Sequence, residues 1–273
     1  MTTSLLLGSA LPAGHLLLPV ASFFFLLSFL YTALCLVTRR EISLPVNLLL
    51  VGVGFLVQTA FLYTRGELRG RCPLTNLFEV IAFLCWGSVL FYLIVGNTYR
   101  LSPLGIFTAP LVFGLQTFAS LAGFDQGGKT LRGVVNPWLE FHAAFSVLSF
   151  GAFALAGLAG GMYLWQERQL KTHRLRSGFF QLPPIGDLGR LNARLLLVGF
   201  LLLSLGLLAG FNMGTPNTLP HLVWAVVVWL LYAVLVQARW GAWRLGPRRV
   251  ASLSVVAFTV ALLTLGGLSF VAA

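Results

Sequence analysis

The sequence predicts an all-α membrane protein, a polytopic bundle of about eight transmembrane helices with both termini outside. Of its 273 residues, 58% are hydrophobic and 9% are charged, and the mean hydropathy is +0.90. A soluble domain carries about a quarter charged residues. Apolar runs long enough to cross a bilayer follow one another along the chain, separated by short polar linkers. These observations predict a single transmembrane domain that covers residues 1–273.

Each predicted helix is an apolar run that charged, glycine-rich or proline-containing linkers interrupt. In chain order, the interruptions are TRREISLP, TRGELRGRCP, NTYRLSP, GFDQGGKTLRG, QERQLKTHRLRSG, NMGTPNTLP and RWGAWRLGPRR. The predicted spans cover approximately residues 16–37, 44–64, 77–97, 103–122, 138–166, 193–212, 220–239 and 250–271. Pro19 and Pro110 fall inside the first and fourth spans, where neighbouring helices can satisfy the carbonyl groups that a kink frees. No run shows the alternation of a membrane β-strand.

The positions of lysine and arginine predict the orientation of these spans. Of the 18 basic residues, thirteen lie in linkers that follow odd-numbered spans and five in linkers that follow even-numbered spans. Because basic residues concentrate in cytoplasmic loops, the odd linkers are predicted to be cytoplasmic and both termini to face outward. The net charge of +11 therefore indicates topology, and the basic residues form no continuous patch of the kind that binds nucleic acid.

This topology brings three of the four histidines to the outer membrane face. His15, His142 and His221 lie at the outer ends of the first, fifth and seventh spans, whereas His173 lies in a basic cytoplasmic linker. A six-coordinate metalloporphyrin binds one nitrogen ligand on each side of its ring, so imidazoles at the same membrane depth could serve as its two ligands. The alternative is that the histidines are ordinary side chains of the membrane interface.

The longest apolar stretch, residues 137–171, contains the main candidate, His142. At helical spacing His142 shares one stripe with small residues, namely Ser146, Ser149, Ala152, Ala156 and Gly160. In a membrane, such a stripe either admits another helix closely or leaves room for a flat ligand. On the seventh span Trp224 and Tyr232 share the face of His221, where they would pack on a porphyrin plane or anchor the interface.

Glu79 is one of few acidic residues and lies in the first turn of the third span. The preceding outer loop contains Arg65, Arg69 and Arg71. One interpretation is a structural ion pair at a helix N-terminus, where a carboxylate is favoured. The alternative is that the three arginines receive the propionates of a porphyrin, because guanidinium groups bind carboxylates through charge-assisted hydrogen bonds.

Motifs for other chemistries are missing from the sequence. It contains no P-loop, GxSxG or HExxH motif and no cluster of carboxylates with metal-ligand spacing. Its three cysteines form no CxxC or CxxCH motif, which argues against thiol–disulfide chemistry and against covalent haem attachment to this chain.

Three segments carry recognisable patterns in a fixed order. Residues 72–94 contain a proline-led loop, an Asn-x-x-Glu turn and a tryptophan within the span. Residues 137–171 contain His142 and end in Leu-x-Gln-Glu-x-x-Leu-Lys, and residues 182–211 follow as LPPIGDLGRLNARLLLVGFLLLSLGLLAGF. In this order the segments resemble the cytochrome c assembly protein family, in its CcsA and HemX-like branches.

The resemblance implies a haem-handling protein of the cytoplasmic membrane of a bacterium. It places His142 at an outward-facing haem-ligand position of the family and implies haem b as the cofactor, in cytochrome c assembly or haem supply. The bilayer and haem-pathway membrane proteins are the implied partners.

Several departures from the family favour the HemX-like branch and an accessory or regulatory role that is not enzymatic. The tryptophan-rich WWD segment is replaced by NMGTPNTLPH at 212–221, and VQAR at 236–239 stands where the family has Leu-His-x-Arg. No histidine follows the last span. One alternative is the membrane subunit of a cytochrome c synthase, a haem lyase, that works with a ResB-like partner. Another is a small-molecule permease that has kept the fold without haem.

Overall fold

The computed structural model describes residues 3–38, 40, 42–99, 104–125, 136–172, 183–213, 219–241 and 244–271. Within these ranges the side chains of residues 3–15, 36, 96–99, 106, 219–222 and 263–271 are not described. The described chain forms eight helices: α1 (Thr3–Val37), α2 (Leu44–Arg69), α3 (Leu77–Tyr99), α4 (Leu104–Leu121), α5 (Pro137–Lys171), α6 (Ile185–Phe211), α7 (Leu219–Trp240) and α8 (Pro247–Val271).

The predicted all-α membrane fold is confirmed. No strand occurs in the described residues, and six helices are long and apolar enough there to cross a membrane: α1, α2, α3, α5, α6 and α7. Some helices extend beyond the predicted spans, because an apolar run marks the hydrocarbon thickness and a helix continues into the polar layer. The first turns of α6 provide an example, since an ion pair between Asp187 and Arg190 stabilises them outside the predicted span. Gly70 follows the last residue of α2 and caps the helix with a φ of +63°, in the left-handed region that glycine favours.

Residues 1–133 form one compact unit, built of α1–α4. Its buried apolar cluster consists of Leu18, Phe61, Leu62, Phe78, Ala82 and Ala119. Buried polar side chains also join these helices. Ser28 Oγ donates to Asn47 Oδ1 at 2.6 Å, and Asn47 Nδ2 donates to the Tyr92 hydroxyl at 3.0 Å. Such bonds link α1, α2 and α3 where lipid offers no hydrogen-bonding alternative.

Residues 134–273 form a second compact unit, in which α5 packs against α6 and α8. The small-residue stripe of α5 makes this close packing possible. A Cβ atom at Gly160 would lie 2.9 Å from the Ala251 carbonyl oxygen of α8. From α6, Asn192 Nδ2 donates to the Ala156 carbonyl at 2.7 Å and to Ser254 Oγ at 2.8 Å. Neighbouring helices therefore occupy this part of the stripe.

Candidate functional site

The start of α5 is fixed by capping, and this positions His142 in its second turn. Asn136 is the N-cap, and its side-chain oxygen accepts a hydrogen bond from the Trp138 amide at 3.1 Å. Pro137 follows at the first helical position, where its missing N–H costs nothing. The Asn136 side-chain nitrogen donates to the Met213 carbonyl at 3.0 Å, which ties the beginning of α5 to the chain just after α6.

The imidazole of His142 is held by the backbone of α6. His142 Nδ1 lies 2.8 Å from the carbonyl oxygen of Gly206, and the side chain is partly exposed. Because a carbonyl oxygen only accepts, Nδ1 must carry the proton, and in the neutral ring Nε2 then holds the free lone pair. Metal-binding histidines commonly donate their other N–H to a backbone carbonyl in this way. The bond thus selects the tautomer that can ligate a metal through Nε2.

Gly206 makes this contact sterically possible. A Cβ atom at Gly206 would lie 2.9 Å from Ser146 Oγ, 3.2 Å from the Ser146 amide nitrogen and 3.4 Å from the His142 carbonyl oxygen. A side chain here would therefore push α6 away from α5 and lengthen the bond to His142. Gly206 lies in the patterned segment 182–211. Its contact with His142 was not predictable, because sequence alone does not show which carbonyl oxygen an imidazole reaches.

The other proposed haem-binding residues of this unit lie on α7. The side chain of His221 lies outside the described residues, as does that of His15 on α1, so neither is placed relative to His142. Trp224 is partly buried. Tyr232 is fully buried and its ring stacks on that of Phe153 from α5, with centroids 3.5 Å apart and planes inclined by 4°. Tyr232 therefore packs inside this helical unit.

Glu79 is fully buried at the start of α3, where both of its carboxylate oxygens lie near polar or charged groups. One carboxylate oxygen lies 2.8 Å from Arg69 Nε and 3.7 Å from Arg65 Nη1. The other accepts from the Thr75 amide at 2.9 Å and from its hydroxyl at 2.7 Å. The Glu79 amide donates to Asn76 Oδ1 at 2.8 Å, which caps the helix. The carboxylate therefore joins the end of α2 to the beginning of α3.

Arg65 is also held by a second carboxylate. Its two terminal nitrogens bind Asp125, on the chain just after α4, and the Nη1–Oδ1 distance is 3.0 Å. Its guanidinium lies 5.4 Å from the ring centroid of Phe61 and 5.5 Å from that of Phe78. Sequence reasoning missed Asp125 because sixty residues separate it from Arg65. The sequence does mark Asp125 as one of few acidic residues in an apolar chain, and such residues usually have a charged partner.

The three arginines therefore differ in their surroundings. Arg65 and Arg69 are bound by carboxylates of their own unit. Arg71 lines a cavity of about 480 Å³ at the end of α2, together with Glu67, Cys72 and Pro73. A propionate would have to displace Glu79 or Asp125 to reach either of the first two.

Comparison with known proteins places the chain among cytochrome c assembly proteins. The family model described as Cytochrome C assembly protein matches residues 74–272. The chain is 26% identical to the cytochrome c biogenesis protein CcsA of Prochlorococcus marinus (strain MIT 9301), over 91% of this chain and 89% of that protein. It is 28% identical to the CcsA protein of Synechococcus sp. (strain WH7803), over 90% of this chain and 89% of that protein. It is 24% identical to the CcsA protein of Gloeobacter violaceus (strain ATCC 29082 / PCC 7421), over 81% of this chain and 82% of that protein.

Proposed function

Since this chain belongs to the Cytochrome C assembly protein family, we propose that it is a multi-pass membrane protein of cytochrome c biogenesis that binds haem b through His142. The observation that carries the proposal is the 2.8 Å contact between His142 Nδ1 and the Gly206 carbonyl. This contact leaves Nε2 as the free ligand nitrogen. The shared family and the CcsA relatives support a haem-handling role.

The chain's own residues fit a haem iron in their donor chemistry. Haem, when bound, would supply an iron centre that imidazole nitrogens can ligate. His142 holds the ligand nitrogen, and Gly206 fixes its tautomer. We propose His221 as the second ligand and His15 as the alternative, because the basic-residue count predicts that all three lie at the outer face. Arg65, Arg69 and Arg71 are the proposed partners of the haem propionates, and at Arg65 and Arg69 a propionate would have to displace Asp125 or Glu79.

We propose an accessory or regulatory role in haem supply, as in the HemX-like branch, within the cytoplasmic membrane of a bacterium. The missing WWD segment supports this role. The alternative is the membrane subunit of a cytochrome c synthase that works with a ResB-like partner. Co-expression with a ResB-like protein and an apocytochrome c separates the two, because only a synthase subunit increases the yield of matured cytochrome.

Haem absorbance tests the binding proposal. The full chain is expressed with ample haem and purified in detergent, and the Soret band is measured per mole of protein. We expect His142→Ala to lose most of the Soret band and His173→Ala to keep it, because His173 lies in a predicted cytoplasmic linker. A wild-type protein that binds no haem, or a His142→Ala variant with unchanged absorbance, would contradict the proposal.

A further inference from the structure

A second cavity, separate from the His142 site, lies where the end of α5 meets the beginning of α8. Its volume is about 360 Å³, and it is lined by Leu164, Glu167, Arg168, Lys171, Thr172 and Arg248. Three of these side chains are cationic and one is anionic. An apolar side chain and a hydroxyl complete the lining. The cavity therefore combines net positive charge with an apolar contact.

Glu167 holds two of the cations at the cavity. Lys171 Nζ lies 2.8 Å from one Glu167 oxygen, and Arg248 Nε lies 3.3 Å from the other. The Glu167 side chain is 18% exposed, whereas those of Lys171 and Arg248 are 58% and 65% exposed. The carboxylate thus fixes the positions of two cationic groups that still face outward. One carboxylate neutralises one of the three positive charges, so the cavity keeps a net charge of about +2.

Exposed tryptophans indicate that this end of the helices lies at a membrane–water boundary. Trp165, two residues before Glu167, and Trp240, at the end of α7, are both exposed. Tryptophan concentrates at the headgroup level of bilayers, where its ring contacts both apolar and polar groups. The linkers after α5 and α7 are predicted to be cytoplasmic, and the cytoplasmic leaflet is the one that carries anionic lipids.

We propose that this cavity binds the phosphate group of an anionic phospholipid. Arg168, Lys171 and Arg248 supply the positive charge, and Leu164 contacts the apolar part of the lipid. Basic pockets between transmembrane helices on the cytoplasmic side suit such headgroups. The occupant is a lipid because the exposed tryptophans place the cavity at headgroup depth. This inference is independent of haem binding.

Native mass spectrometry of the full chain in detergent tests the proposal. The protein is titrated with phosphatidylglycerol or with phosphatidylcholine of the same acyl chains. Each basic residue near an anionic headgroup contributes about five-fold in binding, so Arg168→Gln/Arg248→Gln should weaken phosphatidylglycerol binding by roughly 25-fold. The charge-matched control Arg40→Gln/Arg190→Gln removes two exposed cations elsewhere and should retain the wild-type preference.

Glu167→Gln should strengthen phosphatidylglycerol binding, because it removes the negative charge from the cavity. This variant should bind phosphatidylglycerol a few-fold more tightly than the parent, a result that a purely structural role of Glu167 would not give. Three outcomes would overturn the proposal: equal weakening in both double variants, no weakening in Arg168→Gln/Arg248→Gln, or full displacement of the lipid by excess inorganic phosphate. The last would identify a soluble anion as the ligand.

Discussion

Replacing Glu79 by glutamine should destabilise the protein strongly, because it removes a fully buried negative charge. Glu79 forms an ion pair with Arg69 at 2.8 Å and accepts hydrogen bonds from Thr75 at 2.7 and 2.9 Å. The Arg69 side chain is 9% exposed and would keep its charge without a carboxylate partner. Breaking a buried ion pair on one side costs about 3–5 kcal/mol. We expect about 3 kcal/mol, the lower end, because glutamine still accepts from Thr75.

Thermal unfolding of the detergent-purified protein measures this effect. A change of about 3 kcal/mol in the free energy of unfolding corresponds to a decrease in Tm of roughly 6–12 °C for a chain of this size. Glu67→Gln is the matched control, because Glu67 is an exposed carboxylate two residues from Arg69 in the same helix. The control should shift Tm by less than about 2 °C, as exposed charges contribute little.

A double variant separates the ion pair from other effects of the substitution. Arg69→Gln/Glu79→Gln removes both charges, so it should be more stable than the sum of the two single changes predicts. If Glu79→Gln is as stable as the parent, the structural role of this carboxylate is refuted. If it is also devoid of haem, Glu79 serves the cofactor instead.

Three further predictions concern orientation, the histidine anchor and the second ligand. A reporter fused after Arg40 should be cytoplasmic and one fused at Ala273 external; the reverse pattern would refute the orientation. Gly206→Ala should cost about 1–3 kcal/mol through overpacking and lower haem occupancy. The control Gly161→Ala has nothing within 4 Å of its Cβ position, so it should keep the Soret band and should not lower the Tm. Two imidazole ligands would make the haem iron low-spin, so His221→Ala should give a high-spin electronic spectrum, and an unchanged spectrum would exclude His221 as a ligand.

The helices were predictable from sequence because each depends on local composition. Eight apolar runs and the linkers between them are visible in the chain, and the described residues form eight helices. The ends were less predictable: α1 begins at Thr3 and α6 at Ile185, both ahead of the predicted spans. At the start of α6, the ion pair between Asp187 and Arg190 stabilises polar turns that add no apolar run to the sequence.

The candidate site was predictable only in part, because its geometry depends on contacts between distant residues. Sequence placed Glu79 near arginines, but a carboxylate at an exposed helix N-terminus contributes about 0.3–1 kcal/mol. Its complete burial, which raises the expected effect, required the fold. Likewise the stripe of α5 was compatible with a helix or a flat ligand. The contacts of Gly160 and Asn192 show that neighbouring helices cover the part of the stripe around Ala156 and Gly160.

The most direct test of the central claim, that His142 ligates haem iron, is rescue of His142→Gly by added imidazole. Glycine removes the ligand nitrogen and leaves space that free imidazole can enter. We predict that purified His142→Gly lacks the Soret band and regains it when the protein is produced with imidazole. A His142→Gly protein that keeps the wild-type haem content and spectrum without imidazole would contradict the claim.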